Sequence, residues 1–214
     1  MATFGEMQTY VSARLLDPNN TAVPASSVAA ALNDAQRYWK TRRMWFNTAD
    51  TTVTLVTGDP KIYLTSITDF LVELPMNDGF VIEYGGMRWP LIKRNPREYD
   101  DLYLTQGLGL PEIYTIKAGA YYCYFIPDQD YTLRVYYLKE YGDLVSAPDT
   151  NDFTQNAARL LELWALANLS AELRQDDKME TYYRNAAQDE YKNLGVFNAK
   201  VNSPGHLSIH SFLM

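Results

Sequence analysis

The hydrophobic period of this chain changes twice, and that constrains the fold more than any single motif. Apolar residues recur at helical spacing to about residue 45 and alternate with a period of two from about 50 to 140. From about 151 the helical spacing returns. Short alternating runs between two helical blocks, rather than strands interleaved with helices, point to an antiparallel sheet fold. The sequence therefore predicts an α+β protein: an N-terminal helix pair (1–45), a central antiparallel β sandwich or barrel (50–140), a C-terminal helical hairpin (151–195) and an extended tail (196–214).

Local signals place the elements. Thr3 and Glu6 have the spacing of a capping box, in which each side chain satisfies a free backbone donor of the first turn. Met7, Val11, Leu15 and Leu16 continue a helix over 3–16, and Asp17-Pro18-Asn19-Asn20 ends it. A second helix begins near Pro24, with Val28, Ala31, Leu32, Ala35 and Trp39 as its apolar stripe. Roughly eight strands follow. Gly85-Gly86 signals a hairpin, and Asn95-Pro96 opens a short helix running to Leu104. In the last helical block, Ala157, Leu160, Leu161, Trp164 and Leu169 belong to one helix. Met179, Tyr182, Tyr183, Ala187 and Tyr191 belong to another, with Asp176-Asp177 between them and Gly195 as the stop.

The net charge of −7 disfavours tight binding to nucleic acid phosphates, which needs clustered Lys and Arg. An acidic wall would instead let DNA slide past. The 17 tyrosines suit half-buried sheet faces or subunit interfaces, because the ring is apolar and the tip polar. A lone cysteine, Cys123, allows neither an internal disulfide nor a cysteine-rich zinc site, and its strand-like surroundings predict a buried thiol. No signal peptide is evident and no apolar run reaches membrane-spanning length, so a cytosolic protein without a membrane partner is expected.

Catalytic patterns are weak. His206 and His210 sit four apart just after Pro204-Gly205, without an evident third ligand. Gly107-Leu108-Gly109 lacks the strand-to-helix setting of a phosphate loop. Asp100-Asp101 and Asp176-Asp177 are adjacent pairs, whereas glycosidase chemistry needs two carboxylates facing each other across a cleft. No enzymatic activity, metal or cofactor is expected. A basic cluster of Lys93, Arg94 and Arg97, with Arg42 and Arg43, is a candidate contact for an acidic partner surface. The tail ends in Phe212-Leu213-Met214. Burying those side chains gains about 1.5–3 kcal/mol each, while fixing the backbone costs roughly 1–2 kcal/mol per residue. Such a tail is expected to order against a partner.

The order of blocks resembles the bacteriophage head-to-tail connector family, the adaptor or head completion proteins below the portal. Tyr10-Val11-Ser12-Ala13-Arg14-Leu15 precedes a helix with Leu32-Asn33-Asp34-Ala35-Gln36-Arg37, similar to the family's I-N-x-A-x-R helix. Asp69-Phe70-Leu71 and Leu74-Pro75 resemble its Leu-Pro-x-Asp-Phe-Leu motif in reversed order. Pro111-Glu112-Ile113-Tyr114 resembles its Pro-x-x-Tyr strand opening, and Ile126-Pro127-Asp128 with Tyr136-Tyr137 resembles P-x-P…Y-Y without the second proline. Leu144 followed by Asp149-Thr150-Asn151 leads into the helical pair. The resemblance implies a structural virion protein, assembled in the host cytoplasm and placed at the portal–tail junction. Its partners would be the portal protein, a tail or nozzle protein and further copies of itself in a ring, typically twelvefold, with transient non-specific proximity to genomic DNA. It further makes Val201, His206, Leu207, Ile209, Phe212, Leu213 and Met214 a candidate portal-docking arm. Arg42, Arg43, Trp89, Lys93, Arg94 and Arg97 become candidate subunit or tail contacts. The alternative is a ligand- or carbohydrate-binding β module of a phage particle, with exposed Trp89, Tyr121 and Tyr124 on one face.

Overall fold

A computed structural model describes residues 2–17, 22–74, 79–103 and 107–202. The turn at 18–20, Pro75, Leu104 and the tail residues His206, Leu207, Ile209, His210, Phe212, Leu213 and Met214 lie outside them. Helices α1 (Phe4–Arg14) and α2 (Ala25–Trp39) come first. Then follow β1 (Thr48–Leu55), β2 (Lys61–Ile62), β3 (Phe70–Glu73), β4 (Phe80–Tyr84), β5 (Met87–Pro90) and β6 (Ile92–Lys93). After α3 (Pro96–Tyr103) come β7 (Leu108–Gly109), β8 (Ile113–Lys117), β9 (Ala120–Tyr124), β10 (Ile126–Pro127) and β11 (Tyr131–Lys139). The chain closes with α4 (Asp152–Asn156), α5 (Ala158–Arg174) and α6 (Asp177–Asn202). It divides into a helical unit, residues 1–47 with 141–214, and a β unit, residues 48–140.

In the helical unit both halves of the Thr3–Glu6 capping box form, with Glu6 N–H donating to Thr3 Oγ1 at 3.2 Å and Thr3 N–H to Glu6 Oε2 at 2.8 Å. The predicted stripe of α2 is buried at every position. Helix α5 is apolar nearly all round and lies at the centre, packing against α1, α2 and α6 with Leu160, Leu161, Leu166 and Leu169 inside. The sequence suggests one helix from about Asn151, but Ala157 adopts φ −140° and splits off the short α4. Asn151 still caps α4, accepting from the backbone N–H groups of Phe153 (2.9 Å) and Thr154 (3.1 Å). At the other end of α5, Gln175 takes a left-handed conformation (φ 50°) and Asp176 caps α6 by accepting from Met179 N–H at 3.1 Å.

Helix α6 departs from the expected stop at Gly195 and continues to Asn202, so residues 196–202 are helical and not extended. A helical glycine costs only about 1 kcal/mol relative to alanine. Leu194 packs on the core, and beyond the glycine Phe197 meets Trp45 edge-on with ring centroids 5.6 Å apart, which offsets that cost.

In the β unit β11 is the spine. Strand β1 runs antiparallel along one edge, from Thr48 opposite Leu138 to Leu55 opposite Tyr131. Strands β4 and β3 share the other edge, and β5 extends the sheet beyond β4. A second sheet has the order β2-β9-β8-β6. The main ladders are antiparallel, as the sequence predicts, while β6–β8 and β7–β10 are two-residue parallel pairs. Gly85 and Gly86, at φ 59° and 76°, make the tight β4–β5 hairpin that their sequence signals. Both sheets feed one core, with Leu55, Phe80, Ile82, Leu133 and Val135 from the first and Ile62, Tyr114 and Cys123 from the second.

Candidate docking surfaces

Asn33, Gln36 and Arg37 of α2 clamp the segment that returns the chain to the helical unit. Asn33 is 8% exposed and satisfies both backbone groups of Leu144: its Nδ2 donates to the carbonyl at 3.0 Å, and its Oδ1 accepts from the N–H at 2.9 Å. Gln36 is fully buried; its Nε2 donates to Gly142 O at 2.9 Å and its Oε1 accepts from Asn151 Nδ2 at 2.6 Å. Arg37 makes an ion pair with Asp143 at the surface, and another with Asp34 at 2.6 Å. From the other side, the N–H groups of Phe4 and Gly5 donate to Asp149 O (3.0 Å) and Ala147 O (2.9 Å). A Cβ on Gly5 would lie 2.9 Å from that of Ala147, so glycine is needed for this approach. Motif residues on α2 and on the Leu144–Asn151 segment are thus two sides of one joint.

Glu73 of β3 bridges the two sheets of the β unit. Its side chain is 2% exposed and accepts from Tyr121 Oη at 2.6 Å and from Lys93 Nζ at 2.5 Å. Burial, then the Glu73 hydrogen bond and charge, push the Tyr121 hydroxyl well above its usual range. Other tyrosine hydroxyls of this unit are tied down in the same way. Tyr137 donates to Asp69 (2.8 Å), Tyr131 to Asp128 (2.6 Å) and Tyr99 to Cys123 O (3.0 Å). Much of the tyrosine surplus is therefore sheet packing.

The candidate contact residues fall in both units. Arg42 and Arg43 are exposed after α2, Arg42 over the Tyr38 ring at 5.9 Å. Lys93 is committed to Glu73, Arg94 lies 3.7 Å from Glu98, and Arg97 is exposed on α3. Trp89 is exposed on the edge strand β5, whereas Tyr121 packs on the core and Tyr124 is buried. The exposed aromatic face expected of a carbohydrate-binding module is therefore not formed by these three. The reason is that Tyr121 and Tyr124, three residues apart on β9, lie on opposite faces of the strand, Tyr121 against the core between the sheets and Tyr124 against Tyr99 of α3. Val201 lies in the last turn of α6.

Sequence reasoning missed Asn33, Gln36 and Glu73 as structural contacts. Gln36 had a usable signal, because it falls four residues after Leu32 on the apolar stripe, where a polar side chain must find a buried partner. Among the described residues no group of three or more His, Cys, Asp or Glu could hold a metal, and no helix is long and apolar enough to cross a membrane. A cleft of about 660 Å³ beside α1 is lined by Thr3, Glu6, Gln8, Thr9, Ser12 and Ala147, among others.

The chain matches the family model described as SU10 adaptor protein over residues 2–206, which spans both units. No curated protein matches it.

Proposed function

Because the chain belongs to the SU10 adaptor protein family, a family of bacteriophage adaptors, we propose that copies of it form a ring, twelvefold, docked on the portal and joining it to the tail or nozzle. A structural role in the phage particle follows from membership; the ring and its position are our reading. The observation that carries the reading is the extent of the match, which takes in the helical unit, the β unit and their connections rather than one module. In such a ring the acidic balance of the chain keeps passing DNA from adhering. Repeated weak contacts give tight attachment through effective concentration.

Within this reading the residues after α6, with Phe212, Leu213 and Met214 at their tip, serve as the portal-docking arm. The exposed residues Arg42, Arg43, Trp89, Arg94 and Arg97 would contact neighbouring subunits or tail proteins. The test is native mass spectrometry of the purified chain alone and mixed with its portal, with a variant lacking residues 203–214 alongside. That deletion spares Phe197 and its contact with Trp45. A ring that forms on the portal and is lost on deletion is the expected result; a chain that ignores the portal overturns the reading.

A further inference from the structure

Two helices of the helical unit, α1 and α5, bring two arginines onto one phenol. Arg14 Nε of α1 donates to Tyr10 Oη at 3.0 Å, and Arg159 of α5 donates to the same oxygen. Both guanidinium carbons sit over the Tyr10 ring, 5.5 and 5.2 Å from its centre. Tyr182 and Tyr183 of α6, with ring centroids 5.3 Å apart, are near enough to act on the Arg14 charge. Tyr182 is 63% exposed. A phenol is neutral, so it holds the two cations side by side without neutralising either. Among the described residues no carboxylate lies within ion-pair distance of Arg14, and Arg159 has only Glu162, at 3.8 Å. Two converging cations held in fixed orientation at the surface, near the exposed Tyr182, are a receptor for carboxylate or phosphate oxygens.

We infer that this Arg14–Tyr10–Arg159 fork receives acidic side chains of a second copy of the chain. The inference deepens the ring reading and rests on it. A ring needs a heterologous joint, in which two different surfaces of one protein meet. The fork supplies the basic surface. The β unit supplies the acidic one in abundance, with 13 Asp and Glu against 8 Lys and Arg, net −5 of the chain's −7. Phosphates of DNA would also fit the fork, but the net charge of the chain repels a polyanion, whereas a neighbouring copy presents carboxylates in register around a ring. Tyr and Arg are also the residue types enriched at the energetic centres of protein interfaces.

The test compares the full-length chain with Arg14→Glu/Arg159→Glu and with the neutral Arg14→Gln/Arg159→Gln. Self-association is read by sedimentation velocity and native mass spectrometry, alone and with portal, at low and high salt. Circular dichroism checks folding, and binding to duplex DNA is measured in parallel. Charge reversal is expected to weaken assembly at least tenfold and neutralisation less, with salt weakening the wild type in the same direction. If reversal perturbs folding, the neutral variant gives the reading. Variants that assemble like the wild type overturn the inference, as does a loss confined to DNA binding. A wild type that assembles neither alone nor on portal overturns the ring reading itself, an outcome distinct from failure of the fork.

Discussion

Replacing Asn33 by alanine tests whether the α2 clamp holds the helical unit together. The substitution removes one donor and one acceptor, and so orphans the N–H and C=O of Leu144, itself a buried residue. Each unsatisfied buried group costs about 1–3 kcal/mol. Some relief comes from water entering the space left, so the expected loss is about 2–4 kcal/mol, a large share of the ~5–15 kcal/mol that holds a typical domain. For a unit of this size that lowers the melting temperature by roughly 10 °C. Trp39, Trp45 and Trp164 belong to the helical unit and Trp89 to the β unit, so urea unfolding followed by tryptophan fluorescence in a Trp89→Phe background reports on the helical unit. Arg37→Ala is the control. It breaks ion pairs with Asp143 and Asp34 around a side chain that is 49% exposed, and should cost under about 1 kcal/mol. If Asn33→Ala loses no more stability than Arg37→Ala, the claim that buried backbone pairing makes this joint is refuted.

Three further outcomes are expected. Glu73→Ala leaves the half-buried Tyr121 hydroxyl without its acceptor, while Lys93, 47% exposed, can turn to water; we expect a loss of about 1–2 kcal/mol in β-unit unfolding, and much less for Glu73→Gln. Burial pushes the Glu162 carboxyl up to about 7 against the opposing pull of Arg159. A raised carboxyl favours folding while protonated, so its contribution is intact below about 4.5, fades as pH rises through 7, and amounts to roughly 3 kcal/mol. Glu162→Gln should flatten that part of the stability–pH curve, measured by urea midpoints between pH 4.5 and 8. Burial also raises the Cys123 thiol to about 12, so a disulfide reagent at pH 8 should label it only as fast as the β unit opens; rapid labelling of the folded chain contradicts the burial.

The elements that the sequence made legible were those with local causes. The Thr3–Glu6 box, the α2 stripe, the Gly85-Gly86 turn and the Asn95 cap each depend on residues within a few positions, and each formed. Those that escaped depend on distant partners. Ala157 breaks the helix although its composition favours continuation, and α6 outruns Gly195 because packing near the glycine favours continuation. The clamp joins residues 111 positions apart and the two arginines of the fork lie 145 apart on separate helices, so no window of sequence contains them. The basic cluster could be located by its charge, but the commitment of Lys93 to Glu73 required the second sheet to be placed. The order of blocks, in contrast, survives loss of local motif detail, and it pointed to the adaptor family despite the reversed Leu-Pro motif and the missing second proline.

The central claim is tested most directly by cryo-electron microscopy of the head–tail vertex of the phage that encodes this chain. We expect a ring of density directly below the portal, each repeat accommodating one helical unit and one β unit. A vertex at which the portal meets the tail without this chain, or a particle that lacks the protein, would contradict it.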